Sequence, residues 1–217
     1  MSKYFSFLPG ISFIIVALTS RSSPQPSAPA EYPKGSYGYD AAFLKQYSDN
    51  IIELWNEDGA RVLLSAAYQG RVMTSSVNSD SGNSAGWINY DLIAAGKFKD
   101  RFNPVGGEER LWIGPEGGQY SFYFRKGDSF DIKNWHVPPV IDTIPYQVTH
   151  SDSTSVEFSQ KATLTNYNGM PFHIFINRNV RLLDKTGLNK RLQTTTVPDG
   201  VKWVAYETEN IIKNMGE

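Results

Sequence analysis

Two long runs of alternating apolar and polar residues, Thr154–Leu164 and Phe172–Leu183, stand on either side of an Asn166-Tyr167-Asn168-Gly169 turn. In the first run, apolar side chains fall at 156, 158, 162 and 164; in the second, Ile174, Ile176 and Val180 share one parity. Successive side chains of a strand point to opposite faces, so this spacing gathers the apolar set on one face. Such a face needs a second layer to cover it. The pattern predicts a mostly β chain built as an antiparallel β-sandwich.

The upstream segments agree. Ile51–Trp55 and Ala60–Ala66 flank Asn56-Glu57-Asp58-Gly59, whose Asp-Gly pair is a strong hairpin signal. Tyr68–Val77, the aromatic-rich Tyr120–Phe124 and a segment closing at His150 also read as strands. Val201–Glu207 opens a last strand that runs on through Ile211-Ile212-Lys213. Two short helices are expected. One is Tyr39–Tyr47, with Asp40 as N-cap and apolar residues at 43, 44 and 47; the other is Asp91–Phe98. Lys185–Arg191 reads as a solvated basic loop. No segment covers the final strand, which predicts a sandwich that is incomplete at Glu217.

The first 36 residues are set apart. Lys3 precedes an apolar stretch from Phe5 to Leu18, shorter than the roughly 20 residues of a membrane-spanning helix. Residues 1–20 therefore read as a secretory signal, and 21–36, rich in Pro, Ser and Ala, as a tether. This predicts export to the periplasm or envelope of a Gram-negative bacterium, with no membrane span after signal removal. Leu18-Thr19-Ser20 resembles a lipoprotein signal, but Arg21 stands where the lipidated cysteine would be. The sequence contains no cysteine, so disulfides, thiolate nucleophiles and cysteine metal sites are excluded. Its 21 basic and 22 acidic residues leave a formal net charge of -1, which argues against nucleic acid as a partner.

The chemistry is concentrated between Asn103 and Gln119. This glycine-rich run has neither Gly-Lys-Ser/Thr nor Gly-x-Gly-x-x-Gly spacing, so it is not a nucleotide loop. As a short strand, Glu108–Ile113 would place Leu111 and Ile113 on one face and Glu108, Arg110 and Trp112 on the other. A carboxylate, a guanidinium and an indole on one face suit a sugar, whose hydroxyls pair with the charges and whose C–H face packs on the ring. Equally, the same residues describe a buried Glu–Arg pair beneath a core tryptophan. Glu116 and Gln119 lie just beyond. Arg71, on the strand face of Gln69, and Trp87, on that of Asn89, are further candidates. Glu108, Glu109 and Glu116 lack the loop spacing of a calcium site, and no metal or other cofactor is expected.

Tyr37-Gly38-Tyr39-Asp40, Ala67–Ser75, Gly86-Trp87-Ile88-Asn89, the Gly106–Gln119 run, Leu164–Tyr167, Arg178–Leu183 and Tyr206–Asn210 carry a resemblance. Together they resemble a family of uncharacterised exported bacterial proteins within the galactose mutarotase-like supersandwich superfamily. The resemblance covers the chain from Tyr37 onward and implies a large antiparallel sandwich whose concave face binds carbohydrate. It implies no single reaction, because the superfamily includes epimerases, glycosidases, lyases and binding-only domains. Its aldose epimerases use a histidine acid and a late carboxylate base. The chain's three histidines, His136, His150 and His173, read as surface or satisfied polar residues.

Two functions follow as expectations. One is a carbohydrate-active enzyme, with Glu108 or Glu116 as acid or base and with Arg110, Trp112, Gln119, Arg71 and Trp87 binding substrate. The full site would need residues past 217, leaving this form inactive. The other is a glycan-binding or structural envelope protein without catalysis.

Overall fold

The computed structural model describes residues 31–193 and 196–216. The signal-like segment 1–20 and most of the tether lie outside them. The last tether residues lead directly into the fold. Ser36 is buried and its hydroxyl accepts from the Tyr39 N–H at 3.3 Å, capping helix α1 (Tyr37–Tyr47). The expected cap, Asp40, lies in the first turn instead, where its carboxylate accepts from Ser84 and Tyr90 hydroxyls.

Strands β1 (Ile51–Trp55), β2 (Arg61–Ser65) and β3 (Arg71–Ser76) form one antiparallel sheet in chain order. A second, two-stranded ribbon pairs β4 (Trp87–Ile88) with β5 (Gly106–Gly107). Between them lies α2 (Tyr90–Ala95), capped by Asn89 and ended by the left-handed Gly96. The third sheet runs β6 (Gln147–Ser151), β7 (Ser155–Thr165), β8 (Pro171–Leu182) and β9 (Tyr206–Asn214). All pairings are antiparallel. Helix α3 (Lys185–Leu192) stands where a basic loop was expected.

The chain is thus mostly β and sandwich-like. Leu54, Val62, Leu64 and Val72 of the first sheet share a core with Val156, Phe158, Ile174, Ile176 and Val180 of the third. The opposite face of the first sheet presents Leu63 and Met73 to Phe43 and Leu44 of α1 and Ile93 of α2. Burial on both faces explains why β2 reads as a continuous apolar run, whereas β7 and β8 alternate. Each fully buried Leu, Val or Phe contributes about 1.5–3 kcal/mol of transfer free energy.

Two expected strands do not form. Tyr120–Phe124 is irregular: Tyr123 donates its N–H to Ser121 Oγ at 3.0 Å and turns its ring into the core. Glu108–Ile113 meets a strand only at Glu109, which bridges to Val72.

The β6–β7 turn is held by the exposed Asp152, whose carboxylate accepts from the Thr154 and Ser155 N–H groups at 2.7 and 2.8 Å. These hydrogen bonds keep its carboxyl well below the usual carboxylate range. A depressed folded-state pKa gives stability that is complete above the ordinary Asp value, about 3.9, and is lost as pH falls below it. Urea midpoints of Asp152→Asn are therefore expected to lie below the parent's at pH 7 and to draw progressively closer to them as pH falls below about 4. A constant difference across that range would disprove the role.

Candidate functional site

Gly70 places the first component. Its φ is +63°, and a Cβ there would lie 2.6 Å from the Phe158 ring, so only glycine fits this turn into β3. Arg71 follows, 2% exposed, with Nη1 donating to the Gly106 carbonyl at 2.7 Å. Its stem packs beneath Gly107, where a Cβ would come within 2.7 Å of Arg71 Cδ.

Glu108 and Glu109 reach the inner face of β8 and β9. Arg178 lies on the same parity as Ile174, Ile176 and Val180, and its side chain is fully buried. Nε donates to the Gly70 carbonyl at 2.9 Å, and Nη1 donates to Asn210 Oδ1 at 2.8 Å. Both Nη groups bind the two oxygens of Glu109, making a bidentate pair. Thr208 Oγ1 lies 3.5 Å from Glu109 Oε1. Arg178 thus ties the third sheet to the first through side chains that also define the site.

Glu108 adjoins this pair. Its Oε2 accepts from Ser75 Oγ and from the Tyr206 hydroxyl, each at 3.1 Å, whereas its buried Oε1 has no partner. Burial, then the Glu108 charge, raises the Tyr206 pKa, so its hydroxyl remains a donor at neutral pH. The carboxylate is oriented through one oxygen and left with an acceptor on the other.

Arg110 is half-buried. Its guanidinium stacks 3.9 Å from the Trp112 ring centroid, and Nη2 donates to the Ile141 carbonyl at 3.0 Å. Trp112 packs between Phe102 and Tyr123 and donates its indole N–H to Glu116 Oε1 at 2.7 Å. The indole face is therefore used by Arg110 rather than left open. Asp142, 3% exposed, accepts from the Asn103 N–H and Nδ2 at 3.3 and 2.7 Å. Burial raises its carboxyl, and the Asn103 hydrogen bonds and the Arg110 and Arg71 charges oppose that rise. Burial lowers Arg110, and burial followed by the Arg110 charge lowers Arg71.

The structure brings Arg71, Glu108, Arg110, Trp112 and Glu116 into one connected region, with Glu108 and Arg110 set by different partners. Gln119 is exposed in the outer turn, where its carbonyl accepts from the Asn168 N–H. Trp87 is 61% exposed on β4, against Gly106. The three carboxylates weighed for calcium diverge to Tyr206, Arg178 and Trp112, and the described residues hold no cluster of metal-ligating side chains. His136 bonds the Asn134 carbonyl at 2.7 Å beside a separate cleft, while His150 and His173 are exposed.

Sequence reasoning missed Arg178, Tyr206, Asn210, Asp142 and Tyr146. Arg178 had a signal: it is a charged residue in the parity of Ile174, Ile176 and Val180. The others depend on which loop lies over which strand.

Toward the far end of the inner face the site becomes apolar. Ile113, Phe122, Leu164, Phe172, Ile174 and Ile212 line a cleft of about 350 Å³. No helix among the described residues is long and apolar enough to cross a membrane.

A family model described as a family of unknown function, DUF6786, matches residues 35–217. No curated protein and no solved structure matches the chain. The match spans both core sheets and every residue of the site just described, and the chain belongs to the DUF6786 family of unknown function.

Proposed function

We propose that this is an exported, galactose mutarotase-like protein that binds a sugar or glycan on the inner face of the third sheet, where Glu108 and Glu109 reach β9. The observation that carries this reading is the set of fixed polar groups on a partly open face. Glu108, Tyr206, Thr208 and Asn210 supply a carboxylate, hydroxyls and an amide, and they lead into the apolar cleft at Ile212. Sugars require this mixture, because their hydroxyls are donors and acceptors and their C–H faces are apolar. In the catalytic form of the proposal, Glu108 is the acid or base, held at Oε2 by Tyr206 and Ser75, and substrate entry has to uncover its buried Oε1. Arg110 orients charge on the substrate.

A binding-only role is the second reading, and a specific observation favours it. Glycoside hydrolysis calls on two available carboxyl groups. Glu109 is committed to Arg178, and Glu116 is engaged by the Trp112 N–H.

Glycan-array binding of the full chain, followed by glycan-cleavage and anomer-exchange assays, tests both. The catalytic form predicts that Glu108→Gln retains binding and loses about 10²-fold or more in turnover. Unchanged turnover would remove Glu108 from the mechanism, and binding without turnover in the parent would select the second reading. Rejection of every glycan would overturn the carbohydrate assignment.

A further inference from the structure

We propose that the site contains an oxyanion seat between Arg71 and Arg110, and that its sugar is an acidic one whose carboxylate occupies that seat; the sugar part rests on the carbohydrate reading above. Arg71 carries the argument. Its Nη1 is satisfied by the Gly106 carbonyl, while Nε and Nη2 are buried without a partner. Those two nitrogens form the side-on edge of the guanidinium, and their parallel N–H bonds match the two oxygens of a carboxylate.

Arg110 adds to it. Nη2 is satisfied by Ile141, the ring of Trp112 covers one face of the guanidinium plane, and Nε is buried without a partner. Tyr146, a buried residue, adds a hydroxyl that also lacks one.

Charge decides what kind of ligand fits. Among the described residues, no Asp or Glu oxygen comes within 4.0 Å of either guanidinium. Asp142, whose field reaches both, has its oxygens on Asn103, and Glu109 is held by Arg178. Buried Arg71 and half-buried Arg110 therefore lie near two acids, Asp142 and Glu116, that pair with neither. A neutral hydroxyl would satisfy an N–H but leave the charge uncompensated, which is the larger cost in a low-dielectric site. A carboxylate supplies one negative charge and two acceptors together.

The test titrates D-glucuronate and D-glucose in parallel into the full chain at one ionic strength, reading the heat of binding. Sulfate and phosphate form a third arm. Glucuronate is expected to bind at least about tenfold tighter than glucose, with an affinity that falls as salt is raised. Arg110→Met should bring the two sugars together, and Arg71→Lys, which keeps the charge but loses the fork, should fall between. If either variant fails to fold, the comparison of the two sugars on the unmodified chain decides. Equal affinity for both sugars overturns the acidic preference and leaves the carbohydrate reading standing. Binding of sulfate or phosphate with both sugars rejected overturns the sugar source and retains the seat. Silence in every arm overturns both.

Discussion

Replacing Arg178 with methionine is expected to lower the unfolding free energy by roughly 3–5 kcal/mol, as for other buried ion pairs that lose one partner. The substitution leaves Glu109 partly buried without its cation and removes the donor to the Gly70 carbonyl. It also frees Asn210 and so loosens β9 from the loop that carries Glu109. Methionine fills much of the volume between Ile176 and Val180, which separates the electrostatic loss from a packing defect. Urea denaturation followed by circular dichroism measures the change. Adding Glu109→Gln to Arg178→Met should recover part of the loss, because the stranded charge is then gone. A single-variant effect below about 1 kcal/mol would show that Arg178 does not hold the sheets together.

Gly106→Ala is the second large effect, at about 2–4 kcal/mol. Gly106 sits at φ +99°, and a Cβ there would lie 2.0 Å from the Trp87 carbonyl oxygen. That neighbour is backbone, so it cannot rotate aside. Either the β4–β5 ribbon separates or residues 106–116 shift, and the carbonyl that holds Arg71 shifts with them. The sugar binding proposed above should therefore fall together with stability. Gly117→Ala, in the same glycine-rich run, is the control: nothing lies within 4 Å of its Cβ position. A change within about 0.5 kcal/mol is expected there. Equal melting temperatures for the two variants would refute the assignment of Gly106 as the constrained position.

These contrasts show how unevenly the molecule was legible in its sequence. Strands β1, β2, β7 and β8 follow from local signals: alternation, Asp58-Gly59 and the turn before Pro171. The third helix escaped because Gly187 interrupts it and only Leu188 and Leu192 give apolar spacing. Its Asp184 cap, accepting from the Gly187 N–H at 2.6 Å, was the readable signal. Tyr120–Phe124 misled because aromatic residues fit a half-buried sheet and an irregular core segment equally well. In the candidate site, Glu108, Arg110 and Trp112 do lie in one region, but their arrangement differs from the expected one. Strand alternation would have set them side by side, whereas Glu109 is drawn to Arg178 and Trp112 stacks under Arg110.

What the sequence determined by itself is the mostly β class, the strands β1, β2, β7 and β8, and the absence of cysteine. Periodicity, composition and turn residues are local quantities, and each is written within a few residues of where it acts. Only the tertiary structure decided which charges meet. Glu109 and Arg178 are 69 positions apart, and Glu108 and Tyr206 are 98 apart. Arg178 lies among isoleucines and valines on a core-facing parity, and only the loop bridged to β3 at Val72 provides the carboxylate that makes its burial tolerable. The same folding leaves Arg71 and Arg110 without a carboxylate of their own, because the nearby acids, Asp142 and Glu116, accept from Asn103 and Trp112. That imbalance of charge, set across long sequence separations, is the observation on which the proposed acidic ligand rests.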